Sequence, residues 1–155
     1  MINGRLDDTD FRILELLQQD GRMDAAQVAS LVHKSPTPVR QRIRKLQEDG
    51  YIKTFAAILD REKIGRPVLV VTHVQLEKQT TPLLNEFEQW VLAMAEVQCC
   101  LHVSGEWNFI LHITAATPQA YFQFLMEKIN SLPNVAHTDS CFVMKECKSG
   151  GPLVL

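Results

Sequence analysis

Between Ser35 and Lys45 the chain places Thr37, Arg40, Gln41 and Arg44 at intervals of three and four, the spacing that brings side chains onto one face of a helix. Arginine carries a planar fork of donors that fits the major-groove edge of guanine, and glutamine fits that of adenine. Thr37 and Lys45 are suited to hold phosphate, which fixes position but carries no sequence information. Ser35, Thr37, Pro38, Arg40, Gln41, Arg44 and Lys45 are therefore the candidate DNA contacts. A second constellation is the turn Ser104-Gly105-Glu106-Trp107-Asn108, which offers backbone amides, a carboxylate, an indole and a side-chain amide to a small molecule. A third is His73, His102 and His112, three imidazoles on predicted strands that zinc could use if they shared a face. Histidines on strands at a protein interface are commoner, and no metal is expected. The chain has no Ser/His/Asp order, phosphate loop or paired-carboxylate motif, so neither catalysis nor a cofactor is expected.

The first constellation needs a helix behind it. Ser35 is placed to cap that helix with its hydroxyl, and Pro36 and Pro38 fall within its first turn, where no intrahelical amide is lost. Val39, Ile43 and Leu46 form its apolar back, and Gly50 stops it. Upstream, Asp24 and Gln27 make a capping box for a short helix whose apolar side is Val28, Leu31 and Val32. Only His33 and Lys34 separate the two, the tight connection of a helix-turn-helix. Asp7 or Asp8 caps a further helix to Leu17, with Phe11, Leu14 and Leu17 facing inward. Three short helices with a basic third one suit the major groove of double-stranded DNA. The formal net charge of -2 supplies no long-range pull toward nucleic acid. Locally, Lys34, Arg40, Arg42, Arg44, Lys45 and Lys53 outnumber Glu48 and Asp49.

At 155 residues the chain holds one domain or two small ones. It has no apolar run long enough to span a bilayer and no signal peptide at its start, which points to the cytoplasm. Cys99, Cys100, Cys141 and Cys147 lack metal-type spacing, and the adjacent pair would point to opposite faces of a strand. Reduced, core-packed thiols are expected.

Beyond Gly50 the pattern becomes extended. Tyr51 to Asp60 reads as a strand, and the punctuated stretch Arg61 to Pro67 divides residues 1–60 from 61–155. Then a unit repeats. A strand from Val68 to Leu76 is followed by a helix from Thr80 or Thr81 to about Met94, with Leu83, Leu84, Phe87, Val91 and Met94 inward, and a strand from Val97. The second round is a strand from Asn108 to Thr114, a helix from Thr117-Pro118 to Ile129, with Tyr121, Phe122, Phe124 and Leu125 as its core, and a strand from Val135 to about Cys147. Two βαβ halves joined at Ser104-Gly105 predict a ferredoxin-like βαββαβ sandwich, so the fold class is α+β with a three-helix head. Leu69, Val71, Ile110, Cys141 and Val143 alternate with the residues that meet the helices, so the sheet is apolar on both faces. A second copy of the chain is the expected cover, giving a dimer with two DNA-reading heads.

Three stretches in this order resemble the Lrp/AsnC (feast/famine) family of transcription regulators: Val32 to Val39 with Arg42-Ile43 and Leu46; Gly50 to Lys53 running to Ala57-Ile58-Leu59-Asp60 and Ile64-Gly65; and Val103 to Phe109. Ser140 to Glu146 fits as well. The resemblance implies a helix-turn-helix, a ligand-sensing domain, dimers that associate as a tetramer of dimers, and an amino-acid or related effector. It would bring the hydroxyls of Thr138 and Ser140 close to a neighbouring dimer's Ser104–Asn108 turn. Two positions depart from the family. His33-Lys34 replaces a usual Gly-Leu, which forces His33 into a glycine-like conformation at about 1 kcal/mol. Asn108 stands where an aspartate is common and can hydrogen-bond an ammonium but not neutralise it, so simple aliphatic amino acids should act weakly. The rival reading is an enzyme of the same architecture, resembling the siroheme decarboxylases that bind a tetrapyrrole, with the head a relic. An intact Arg40, Gln41, Arg44 face argues against it.

Overall fold

The computed structural model describes residues 6–155, which divide into two compact units: the chain through Ile58 together with Lys148–Leu155, and Leu59–Cys147.

The first unit contains α1 (Asp8–Gln19), α2 (Ala25–Leu31) and α3 (Pro36–Glu48). Asp7 caps α1 in a reciprocal box: the Asp10 N–H donates to Asp7 Oδ1 at 2.9 Å and the Asp7 N–H to Asp10 Oδ2 at 3.1 Å. Asp24 and Gln27 build the same box on α2. Ser35 holds the N-cap position of α3, but its hydroxyl makes no capping bond. Pro36 and Pro38 occupy the first and third helical positions, so the third-position amide that a serine would cap does not exist.

Ile13, Leu16 and Leu17 of α1 meet Val28 and Ala29 of α2 and Val39 and Leu46 of α3 in one core. Two residues expected inside are not. Phe11 and Leu31 are 41% and 49% exposed, because the buried stripe of α1 runs through Ile13 and Leu16 and that of α2 through Val28 and Ala29. Residues 51–60 form no strand; an extended segment needs a neighbour to complete its ladder, and none lies beside it among the described residues.

The second unit is a four-stranded antiparallel sheet of β1 (Val68–Leu76), β2 (Val97–His102), β3 (Phe109–Ala115) and β4 (Val135–Phe142), in the order β2-β3-β1-β4. α4 (Thr81–Leu92) and α5 (Pro118–Phe124) complete the βαββαβ pattern, and α5 continues as a wider π turn over Leu125–Ile129. Strand alternation sorts the side chains. Val70, Val74, Phe109, Leu111 and Ile113 are buried against Phe87 and Val91 of α4 and Tyr121, Phe124 and Ile129 from the second helix. The intervening residues Leu69, Val71, Ile110, Cys99 and Cys141 occupy the opposite face, which neither helix of this unit covers. Phe122 does not join the core and is 62% exposed.

β4 ends at Phe142 and not near Cys147. Its register places Phe142 opposite Val70, and the Val143 N–H still donates to the Leu69 carbonyl at 2.9 Å. One strand position before Val68 lies Pro67, which has no amide to extend the ladder.

Candidate nucleic-acid interface and effector turn

The recognition helix is aimed by its turn. α2 closes with the Lys34 N–H donating to the Ala29 carbonyl at 3.0 Å while His33 adopts φ 54°. This is a Schellman closure with histidine in the left-handed position usually given to glycine. The expected strain at His33 is therefore present. It turns the chain sharply enough for α3 to start three residues later, at Pro36.

Thr37, Arg40, Gln41, Arg44 and Lys45 are all exposed on α3, while Val39 and Leu46 are buried behind them. Ser35 and Pro38, at the start of the helix, are exposed too. Arg44 Nε lies 2.7 Å from Glu48 Oε1, with both side chains mostly in solvent. Such an exposed pair is worth about 0.2–1 kcal/mol, so DNA can take Arg44 from it at little cost. Arg42 is different. Its Nη1 donates to Asp7 Oδ2 and to Asp10 Oδ1, each at 2.7 Å, tying α3 to the start of α1. One of the basic residues counted in the local patch is thus internally paired, and it positions the helix. Its carboxylate partner Asp7 is held below the usual range, chiefly by the Asp10 amide and next by Arg42.

The turn between β2 and β3 is held by its backbone. Gly105 has φ 121°, and the Val103 N–H donates to the Asn108 carbonyl at 2.9 Å. Asn108 is almost fully buried, its N–H donating to the Val74 carbonyl at 2.9 Å and its Oδ1 accepting from the Leu76 N–H at 2.8 Å. It stitches the turn to β1. Ser104, Gly105 and Glu106 are exposed, and Glu106 is the turn's one carboxylate. Trp107 lies over the open face between His73 and His137, with ring centroids 5.5 and 5.8 Å away.

Thr138 and Ser140 point to the other side of the sheet. They stand opposite Val74 and Thr72 in the register, and both hydroxyls are engaged internally. Thr138 Oγ1 donates to Asn130 Oδ1 at 3.0 Å, and Ser140 Oγ shares a 2.5 Å bond with the Tyr121 hydroxyl, which also bonds Thr72 at 2.8 Å. Within one chain these hydroxyls and the turn are not brought together. What sequence reasoning missed is the floor beneath Trp107: His73 with Asp139 3.9 Å away, Gln75, whose amide donates to the Glu106 carbonyl at 3.3 Å, and His137. Alternation along β1 and β4 was the available signal, and it needed the register between them.

The three histidines do not converge. His73 and His112 face the open side, whereas His102 stacks on Phe109 on the helix side, 3.8 Å from Glu88. Among the described residues no three His, Cys, Asp or Glu side chains are grouped as metal ligands, and no helix is long and apolar enough to cross a membrane.

Residues 69–153 match the family described as Lrp/AsnC ligand binding domain, and residues 6–53 match winged helix-turn-helix DNA-binding. The chain belongs to the Lrp/AsnC family. It is 35% identical to the proline dehydrogenase transcriptional activator of Rhizobium radiobacter, over 94% of each chain. It is 34% identical to the Bkd operon transcriptional regulator of Pseudomonas aeruginosa, over 96% of this chain and 98% of that one. Its fold superposes with a TM-score of 0.89 on a transcriptional regulator from Neisseria meningitidis solved with L-methionine, at 28% identity over 97% of both chains. This Lrp/AsnC protein is accordingly a DNA-binding transcription regulator with a ligand-binding domain. The tetrapyrrole-enzyme reading finds no support among these relatives, all named as regulators.

Proposed function

We propose that Arg40, Gln41 and Arg44 read base edges in the major groove of an operator, with Thr37 and Lys45 on the flanking phosphates and Ser35 and Pro38 at the mouth of the contact. The observation that carries this reading is the shared exposure of these side chains on a helix whose opposite side is buried. Ser35 has a further qualification, since its hydroxyl makes no capping bond and remains available to a phosphate oxygen. The protein acts in the cytoplasm, without enzymatic activity, as a dimer joined through the open sheet face. Dimers assemble further into a tetramer of dimers, and a dimer presents two heads to half-sites about one helical turn apart.

The effector is an amino acid or a close relative, bound where the Ser104–Trp107 turn of one dimer meets its neighbour. The L-methionine bound by the Neisseria relative supports the class. In this chain Asn108 is occupied with β1, so Glu106 is the group that meets an ammonium and the backbone amides of the turn meet a carboxylate. Thr138 and Ser140 belong to this site only in the assembled state, if their internal partners release them. A ligand spanning two dimers changes the separation of the heads because it binds the assembled state better than the separated one. Recovering DNA bound by the protein and measuring affinity for it with the Arg40→Ala/Arg44→Ala double variant tests the core of this reading. Unchanged operator affinity in the folded double variant would overturn it.

A further inference from the structure

The first unit carries an apolar groove of about 440 Å³ that DNA reading does not use, lined by Phe11, Leu14 and Leu17 of α1 and by Tyr51, Ile52 and Phe55. The segment Lys148–Leu155 returns to this unit after the sheet is complete. The ligand-binding family match runs to residue 153, so residues 148–153 belong to that domain by sequence and to the first unit by packing.

The return is specific in two ways. Gln18 grips the main chain of Leu153 from both sides: the Leu153 N–H donates to Gln18 Oε1 at 2.7 Å, and Gln18 Nε2 donates to the Leu153 carbonyl at 3.3 Å. A side-chain amide that accepts from and donates to one residue imitates the neighbour that a strand would have in a sheet. The side chains then alternate as on a strand. Leu153 and Leu155 border the groove while keeping 76% and 48% of their surface in solvent, whereas Val154 is wholly exposed and does not touch it.

We propose that the chain's own Leu153–Leu155 segment is a strap, held by Gln18, that walls one side of this groove across α1 and residues 51–55. Residues 51–55 leave the recognition helix directly. The strap therefore makes the packing behind the reading helix depend on a segment encoded at the end of the ligand-binding domain, whatever the effector is.

Hydrogen–deuterium exchange on the full-length protein tests this. In the wild type the peptide covering 149–155 should be protected, and Gln18→Ala should speed its exchange by about tenfold, the factor one hydrogen bond near the top of its net range supplies. Leu153→Asp/Leu155→Asp should speed exchange in the peptides covering 11–17 and 51–55, while Val154→Asp should leave both unchanged. Free-chain exchange of 149–155 in the wild type, or equal effects from Val154→Asp, would overturn the proposal. A photo-crosslinking phenylalanine analogue at position 11 identifies the owner of the strap in mixed heavy and light isotope-labelled chains. Capture of residues 153–155 from the same chain is expected, and a heavy-to-light crosslink would overturn the assignment to the chain itself.

Discussion

Arg42, in the middle of the recognition helix, is bonded to Asp7, the N-cap of the first helix, at 2.7 Å. α3 is thus anchored by its own charge to the N-cap of α1, and the same arginine reaches Asp10. A guanidinium in two carboxylate bonds is poorly placed to leave for phosphate.

Asp7 should titrate below an ordinary aspartate, and Arg42→Ala should raise its midpoint partway toward normal. The Asp10 amide, the larger cause, stays in place. Because the folded value is depressed, the stabilisation is present above the unfolded midpoint near pH 4 and is lost as pH falls through the folded one. Carboxyl-carbon NMR titration of the two proteins checks this, and an unmoved midpoint would contradict it.

Arg44→Ala should cost about 1–3 kcal/mol on the operator and much less on unrelated DNA. Lys45→Ala should weaken both alike and reduce the salt slope by about one. Band shifts at several salt concentrations separate the two behaviours.

His33→Gly should stabilise the protein by up to about 1 kcal/mol, since the left-handed φ of 54° is easier for glycine than for histidine. The greater freedom of glycine in the unfolded chain offsets part of the gain. Urea unfolding measures the difference, and a lower midpoint would show that the imidazole makes a compensating contact.

Asn108→Ala should destabilise by about 1–3 kcal/mol, because the buried Leu76 amide loses its acceptor. Asn108→Asp keeps an acceptor for the Leu76 amide and leaves the side chain turned into the fold, so amino-acid binding should change little, whereas Glu106→Gln should weaken it. Calorimetry across the common amino acids is the measurement. Tight leucine binding by the wild type that ignores Glu106→Gln would refute the placement of the effector.

Val71→Asp, at the centre of the open sheet face and opposite both His112 and Cys141, should lower the assembled mass. Light scattering at micromolar concentration reads it. A wild type that is already a monodisperse monomer would remove the basis for any dimer through this face.

The fold was largely legible because its signals are local. Asp7, Asp24 and Thr117 each mark a helix start with a bond that spans three residues, and the alternation in Val68–Leu76 needs no partner to be seen. The misreadings share the opposite property. Whether Phe11 or Ile13 faces inward depends on where α2 and α3 press, and the end of β4 depends on its pairing with β1, far away in sequence. The candidate DNA face is legible for the same reason the helix is. The effector turn is less so: Asn108 has a side chain that could serve a ligand, and only its 2.8 Å bond to Leu76 shows it engaged within the fold. The roles of Thr138 and Ser140 likewise turn on Asn130 and Tyr121, which no spacing rule connects to them.

Cys99 and Cys100 are neighbours on one strand, yet alternation gives them unlike chemistry. Cys100 is packed against the helix-side core, and burial, helped by Glu88, pushes its thiol up to about 11. At neutral pH only about one molecule in ten thousand then carries the reactive thiolate. Cys99 stands opposite His112 on the open face, and Cys141 stands opposite Val71 on that same face. On the sheet, alkylating reagents therefore meet a silent sulfur and two addressable ones, with exposed Cys147 beyond β4 as a reference that stays open, which makes the sheet its own footprinting probe. Whatever covers that face shields Cys99 and Cys141 from modification, and exposing it unmasks them without any engineered label.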